Sequence, residues 1–354
     1  MLYFSKLRIT LISLVTIFFI FIALSNFQDS DNSFISKRIN LGLDLQGGSY
    51  LLLEIDNEPI EIQTLQNTTT VIRNYLKDKN INFSDLRIED KSILFVVSNQ
   101  DNKTVESFFS DKESRINPYY NQFKTHQFDL IIKQNEFKLT LSKYGLVEIK
   151  SSSQNQAIEI VRRRVDEVGT NEPNILKRGS NRILVELPGL DDPMRIKSLL
   201  GKTANLTFRF ITQNNSETFG AETLQFDDGT NEALVSKRII LSGENLLDAQ
   251  PQMNNQTNET VVSFTLDRVG SKRFGKATSA GIGKQLAIVL DGKIVSAPII
   301  RDAIVSGTGQ ISGDFTFQSA TDLALLLRSG ALPAPLNIIE ERTVGPELGQ
   351  DSID

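Results

Sequence analysis

The chain has no cysteine, and only one of its 354 residues, His126, is a histidine. Without thiols there can be no disulfide framework, no Cys-ligated zinc or iron–sulfur centre and no thiol nucleophile. A lone histidine leaves little from which to build a hydrolytic triad or a His-rich metal site. Positive charge is also not in excess. Thirty-eight Lys and Arg stand against 43 Asp and Glu, for a net charge of −5, so the dense basic face on which nucleic-acid affinity rests is missing. Nucleic acid is therefore not expected as a partner. What is present is an ordinary folded composition, 40% hydrophobic and 23% charged, with length for two to three domains at ~150 residues each. The chain reads as folded, mildly acidic and poor in catalytic side chains. No cofactor or metal is expected, and the expectation is a protein that is not an enzyme.

Long apolar runs are scarce as well: there is one. Residues 9–28 carry no charge and are dominated by Ile, Leu, Val and Phe. Twenty helical residues at 1.5 Å rise reach ~30 Å, the thickness of a bilayer's hydrocarbon core. Two readings stay open on the residues alone. One is an uncleaved membrane anchor. The other is a signal peptide, with Lys6 and Arg8 as its positive end and Ala23-Leu24-Ser25 as a small-x-small cleavage site. Charge leaves the orientation nearly tied, since Lys6 and Arg8 on one side face Lys37 and Arg38 on the other. Either reading exports the rest of the chain.

Beyond the apolar run the sequence predicts an α+β fold. The clearest stretch has Ile158, Val161, Val165 and Val168 at the three- and four-residue spacing of an amphipathic helix ending at Gly169. A strand over 174–177, a Gly179-Ser180-Asn181 turn and a strand over 182–187 ended by Pro188-Gly189 come next. A helix is expected from Pro193, capped by Asp191 or Asp192, with Ile196, Leu199 and Leu200 on its apolar side. A strand of alternating Leu206, Phe208 and Phe210 closes the set. With the strand 50–55 in front, the order is β-α-β-β-α-β, a ferredoxin-like unit. Residues 57–144 interrupt it with strands of their own (93–97, 128–132 and 137–141) and read as an insertion. A third unit, 239–335, carries a strand over 261–266, a helix over 269–280 and a hairpin 286–295. Asp291-Gly292 at its tip is a type I′ signal. A helix over 319–328 follows, terminated by Gly330, with Pro333 and Pro335 beyond.

The glycine clusters do not make nucleotide sites. Gly281-Ile282-Gly283-Lys284 has Thr278 where a P-loop needs its first glycine and lacks the Ser or Thr after the lysine. Gly307-Thr308-Gly309 leads into a strand and reads as a turn. His126, in a polar stretch, reads as a solvated loop residue, and Arg162-Arg163-Arg164 as the solvated face of its helix. A hydrolase built on converging carboxylates stays formally open. So does a signal-anchored periplasmic binding or scaffold protein. One string resists a bland reading. Leu41-Gly42-Leu43-Asp44-Leu45-Gln46-Gly47-Gly48 packs three glycines and one acid before a strand. A tight turn explains the glycines but not the whole.

At this string the sequence resembles the SecD family, membrane-anchored accessory subunits of the bacterial Sec protein-export machinery. Further matching blocks fall in order: Arg162-Arg-Arg-Val-Asp-Glu-Val-Gly169 with Glu172-Pro173; Arg182-Ile-Leu-Val-Glu-Leu-Pro-Gly189; Ala287-Ile-Val-Leu-Asp-Gly-Lys293 with Ser296-Ala-Pro298; Gly309-Gln-Ile-Ser-Gly313; Leu326-Leu-Arg-Ser-Gly-Ala-Leu-Pro-Ala-Pro335; and Val344-Gly-Pro346 with Leu348-Gly-Gln-Asp-Ser-Ile353. The resemblance implies one N-terminal transmembrane helix (9–28) that stays attached in the inner membrane, behind a cytoplasmic N-terminus (1–8). It implies a periplasmic ferredoxin-like base (40–57 with 148–212 and 336–346), an inserted α+β subdomain (58–147) and a mobile head (213–332). It also implies a function: holding emerging, unfolded preproteins and promoting their export with the proton gradient. The partners would be SecF, the SecYEG channel and YajC. Gly42, Asp44, Gln46, Gly47, Gly48, Pro188, Gly189, Gly330, Pro333, Gly345 and Pro346 are its motif residues, structural or hinge in role rather than catalytic, with hinges expected near 213–216 and 330–335. An exposed strand edge or apolar cleft in the head is the expected preprotein site. In the family the chain continues past Asp354 into five more membrane helices that carry the proton relay and the contacts to SecF, so proton conduction is not expected of these 354 residues.

Overall fold

The structure is a computed structural model that describes residues 6–25, 48–170, 173–189, 193–212, 220–229, 231–254 and 258–344. The apolar N-terminal stretch is helix α1 (Lys6–Ser25), and its side chains from Lys6 to Ile20 are all exposed. Among the described residues no helix is both long and apolar enough to cross a membrane.

Strand β1 (Gly48–Ile55) leads into an inserted lobe: helix α2 (Glu58–Asp78), strands β2 (Phe83–Glu89) and β3 (Ser92–Val97), helix α3 (Asn102–Ser110), the short pair β4 (Tyr119–Tyr120) and β5 (Thr125–His126), and strands β6 (Phe128–Lys133) and β7 (Glu136–Leu141). Four of these strands form a sheet in the order β2-β3-β7-β6. Helices α2 and α3 cover one face, closing a core of Leu65, Ile72, Leu76, Phe95, Phe109 and Phe137. His126 departs from the sequence reading. It is half-buried in β5, its Nδ1 lies 2.9 Å from the Asn117 carbonyl, and its ring meets Tyr119 edge-on. Its polar neighbours in sequence suggest solvent, but the β4–β5 pairing sets the ring against Tyr119 and the Asn117 carbonyl.

Helix α4 (Lys143–Val168) runs from this lobe into the next without a break. Ser142 caps its start by accepting the Gly145 N–H at 2.9 Å, and Gly169, at φ 85°, ends it. Leu146 and Ile149 pack on the insertion core, while Ala157, Val161 and Val165 are buried in the following one. The expected boundary at 147/148 thus falls inside a shared helix.

The first lobe adds β8 (Asn174–Arg178), β9 (Arg182–Pro188), α5 (Pro193–Gly201) and, from the far end of the chain, β19 (Leu336–Val344). Its antiparallel sheet has the order β19-β1-β9-β8. Leu51, Leu53, Val185 and Leu187 meet Val161, Val165, Ile196 and Leu200 of the helices.

The second lobe lies between α5 and β19. It comprises β10 (Leu206–Phe210), the hairpin β11 (Ala221–Gln225) and β12 (Glu232–Ser236), β13 (Leu241–Ser242), β14 (Leu246–Met253), β15 (Thr260–Leu266), α6 (Arg268–Ala280), β16 (Leu286–Leu290), β17 (Lys293–Ser296), β18 (Thr308–Phe315) and α7 (Phe317–Ser329). Its two larger sheets are β13-β10-β16-β17 and β14-β15-β18. The predicted hairpin tip is present, with Asp291 and Gly292 at φ 49° and 81°, the type I′ signature.

Strand β10 corrects the sequence reading. The expected fourth strand of the first lobe instead pairs with β16 and β13, in the register Thr207↔Val289, and buries Leu206 and Phe208 in the second lobe. The fourth strand is β19. Residues 206–212 therefore leave the expected base, because alternation identifies a strand but says nothing about its partner.

Gly145 is where the inserted lobe meets α4 most tightly: a Cβ there would stand 2.2 Å from the Gln127 backbone carbonyl. Gly145→Ala is expected to cost about 1–3 kcal/mol through overpacking. Denaturant unfolding measures it, and an unchanged midpoint would show that the contact can relax freely.

Candidate functional site: an apolar cleft and the joint beside it

Two features could do work, one in the second lobe and one where it meets the first. The former is a cleft of about 330 Å³ between the second lobe's sheets, lined by Phe208, Phe264, Phe274, Leu286, Ile288 and the 298–304 loop, with Gly309 and Gln310 of β18 along one side. The three phenyl rings cluster with centroids 5.5, 5.6 and 6.2 Å apart. Gly309 allows this, since a Cβ there would lie 2.4 Å from Phe264 Cζ. Ile299 stands at the cleft 58% exposed. Strand β18 is paired through β15 alone, so its outer edge has no strand partner among the described residues. Hydrophobic side chains beside open backbone groups can take an extended chain of almost any sequence: the edge pairs its backbone and the cleft takes its apolar side chains.

The second feature is the joint between the lobes. The chain crosses between them twice, at residues 202–205 and 330–335, and the crossings touch where Leu332 N–H donates to the Thr203 carbonyl at 2.8 Å. Beneath them lies Arg164 of α4, only 1% exposed. Its Nη1 donates to the carbonyls of Leu199 at 2.7 Å and Lys202; its Nη2 donates to those of Thr203 and Gly330, both at 3.2 Å. Nε is buried with no hydrogen-bond partner among the described residues. Removal from water pulls this guanidinium down to about 10, a shift that Asp291 opposes, so it stays protonated at neutral pH. Asp291, at the tip of the β16–β17 hairpin, accepts from Thr203 Oγ1, from Ala204 N–H at 3.1 Å and from Asn205 N–H at 2.8 Å. This clip holds Ala204 at φ 60°. A small core of Leu199, Ala204, Leu325 and Leu326 lies alongside. Two ion pairs flank it, Arg195–Asp322 at 2.8 Å and Arg328–Glu167 at 2.5 Å.

The motif residues divide between two places. Gly48, at φ 137°, opens β1 opposite Pro188 on one side and Val344 on the other, with Gly189 next in the chain at φ 63°. Three sequence blocks thus converge at one end of the first lobe's sheet. Gly330 and Pro333 lie at the crossings, some seven strand steps or ~23 Å along β1 from that end. Gly42, Asp44, Gln46, Gly47, Gly345 and Pro346 lie outside the described residues, as do the expected cap residues Asp191 and Asp192 and the hinge segment 213–216.

The sequence suggests one solvated face for the arginine run, and the structure divides it. Arg162 and Arg163 are exposed, but Arg164 is among the most buried side chains of the protein. The signal for it was present: position 164 falls on the apolar stripe of Ala157, Ile160, Val161, Val165 and Val168.

Separate cores, two chain crossings and a buried polar knot between them define a jointed α+β protein that carries an apolar cleft floored by the buried Phe208, Phe264 and Phe274. The comparisons place it further. Residues 221–334 match the family model of the SecDF P1 head subdomain, 154–213 that of the N-terminal P1 domain of protein translocase subunit SecDF, and 33–58 that of the SecD/SecF GG motif. Protein translocase subunit SecD of Rickettsia bellii is 39% identical over 99% of this chain and 67% of its own length. That of Acetobacter pasteurianus is 38% identical over 99% and 68%. A crystal structure of SecDF in a super-membrane-facing form matches with a TM-score of 0.53 and 24% identity, covering 96% of this chain and 36% of the other. The chain belongs to the SecD family of Sec translocase accessory subunits, which take part in protein export.

Asp291→Ala removes three hydrogen bonds from the 203–205 crossing. About 1 kcal/mol of local stability should go with them, or roughly fivefold faster amide exchange at Ala204 and Asn205. Hydrogen-exchange NMR reads those two amides, and unchanged rates would show that the clip is not holding the crossing.

Proposed function

We propose that this chain is the periplasmic part of an inner-membrane accessory subunit that holds unfolded preprotein as it emerges from the Sec channel. The observation that carries the reading is the apolar cleft beside the unpaired edge of β18. In this reading residues 1–8 are cytoplasmic and 9–28 form the anchor, a role supported by the exposed Leu7, Ile12, Leu14 and Phe18 of α1. Unpartnered side chains of that kind suit lipid rather than water. The first lobe is a ferredoxin-like base, a reading that the antiparallel order β19-β1-β9-β8 supports. The second lobe, from 206 to 329, is the head, and the inserted lobe is a separate subdomain braced on α4.

The preprotein lies along β18 as an added strand, with alternate side chains in the cleft. The partners in this reading are SecF, the SecYEG channel and YajC, with the energy drawn from the proton gradient. A binding lobe biases the movement of a chain only if its orientations differ in their coupling to that gradient. The joint at the two crossings is where such a difference would be transmitted.

The absence of cysteine makes the test direct. Single cysteines at Ile299 and Gln310, beside the cleft, and at Leu176, which is 49% exposed on the first lobe, are placed in the membrane-embedded protein while a cysteine-bearing preprotein is stalled in transit. Crosslinks are expected at the two cleft positions and not at 176. Crosslinks at 176 alone would overturn the reading.

A further inference from the structure

The three main cores lie apart, and what fixes the second lobe against the first is small: the apolar contact of Leu199, Ala204, Leu325 and Leu326 with Val168 packed on it, two partly exposed ion pairs and the Asp291 clip. Ion pairs of that kind contribute little. The buried guanidinium of Arg164 differs in kind from them. It stands on α4 of the first lobe, and its carbonyl partners come from both chain crossings, Lys202 and Thr203 on the outgoing one and Gly330 on the returning one. The fourth, Leu199, is the last turn of α5. Among the described residues no carboxylate pairs with it; the charged group that acts on it across the joint is Asp291, which is bound to the crossing and not to the arginine.

We infer that Arg164 is a positioning residue, the pin that gathers both crossings into one unit and thereby sets the angle at which the cleft-bearing lobe is held. The argument is geometric. Each crossing alone is a short segment whose backbone could rotate, and two such segments tied at one point favour one arrangement of the lobe over others. The tie uses neutral carbonyls, which water can replace one by one, so it fixes the angle without welding the lobes. Without the guanidinium, four carbonyls around the joint lose a donor at once, and they regain it most readily by the crossings parting and admitting water. The effect should fall on the angle more than on the cores, because every hydrogen bond of Arg164 at the joint goes to backbone. The inference rests on this geometry and not on the export reading.

The chain in detergent, free of native cysteine, is labelled at Leu176→Cys on β8 and Leu247→Cys on β14, which are 49% and 67% exposed. The distance between the spin labels is measured by electron–electron double resonance in the parent, Arg164→Met and Arg164→Lys. Unfolding of each variant is followed in parallel. The parent distribution should be dominated by one narrow peak. Arg164→Met, which keeps the apolar stem, should give a broad or displaced distribution with the cooperative unfolding of the lobes retained. Arg164→Lys, whose ammonium cannot span four carbonyls, should fall between them. A folded Met variant with the parent's distribution would overturn the inference. If the Met variant fails to fold, the Lys variant decides, and an unbroadened peak there is equally fatal. Loss of folding in both would make Arg164 part of the core and not a positioning residue.

Discussion

The central strand β1 constrains everything else in this molecule. It pairs with β9 on one side and on the other with β19, which arrives only after the whole second lobe has been built. An antiparallel partner at that register forces the chain to leave the first lobe after α5 and return to it within a few ångströms. The two crossings must therefore lie side by side, as the Leu332–Thr203 hydrogen bond shows. Segments that meet inside a junction bring carbonyls with them that helix and sheet have not satisfied. Arg164 and Asp291 answer that demand, one from the first lobe and one from the second.

The same constraint separates binding from attachment. The cleft and the β18 edge belong wholly to the second lobe, and their lining comes from 208–310. The motif glycines and prolines belong to the first lobe's sheet end and to the crossings. The most distinctive sequence blocks thus mark places where backbone must pass close or turn, whereas the cleft is lined by Phe and Ile that look like any core. A surface able to accept many sequences has no reason to carry a sharp motif of its own.

Much of the local structure was legible. The second half of helix α4, strands β8 and β9, helix α5, the type I′ hairpin and the Gly330 terminator all follow from apolar period and glycine placement, which are local properties of the chain. The partner of β10 was not legible, because the alternation of Leu206 and Phe208 suits any sheet with a buried face. The boundary inside α4 was hidden too, since one continuous helix can serve two cores on successive faces.

The sequence by itself determined the α+β class, most of the elements, the absence of thiol chemistry and the family, because composition, period and ordered motifs need no knowledge of distant contacts. Only the tertiary structure decided which sheet β10 joins, where the cleft opens and what Arg164 does. Arg163 and Arg164 are identical side chains one position apart. A rotation of about 100° around the helix takes the one into water and the other beneath the two crossings.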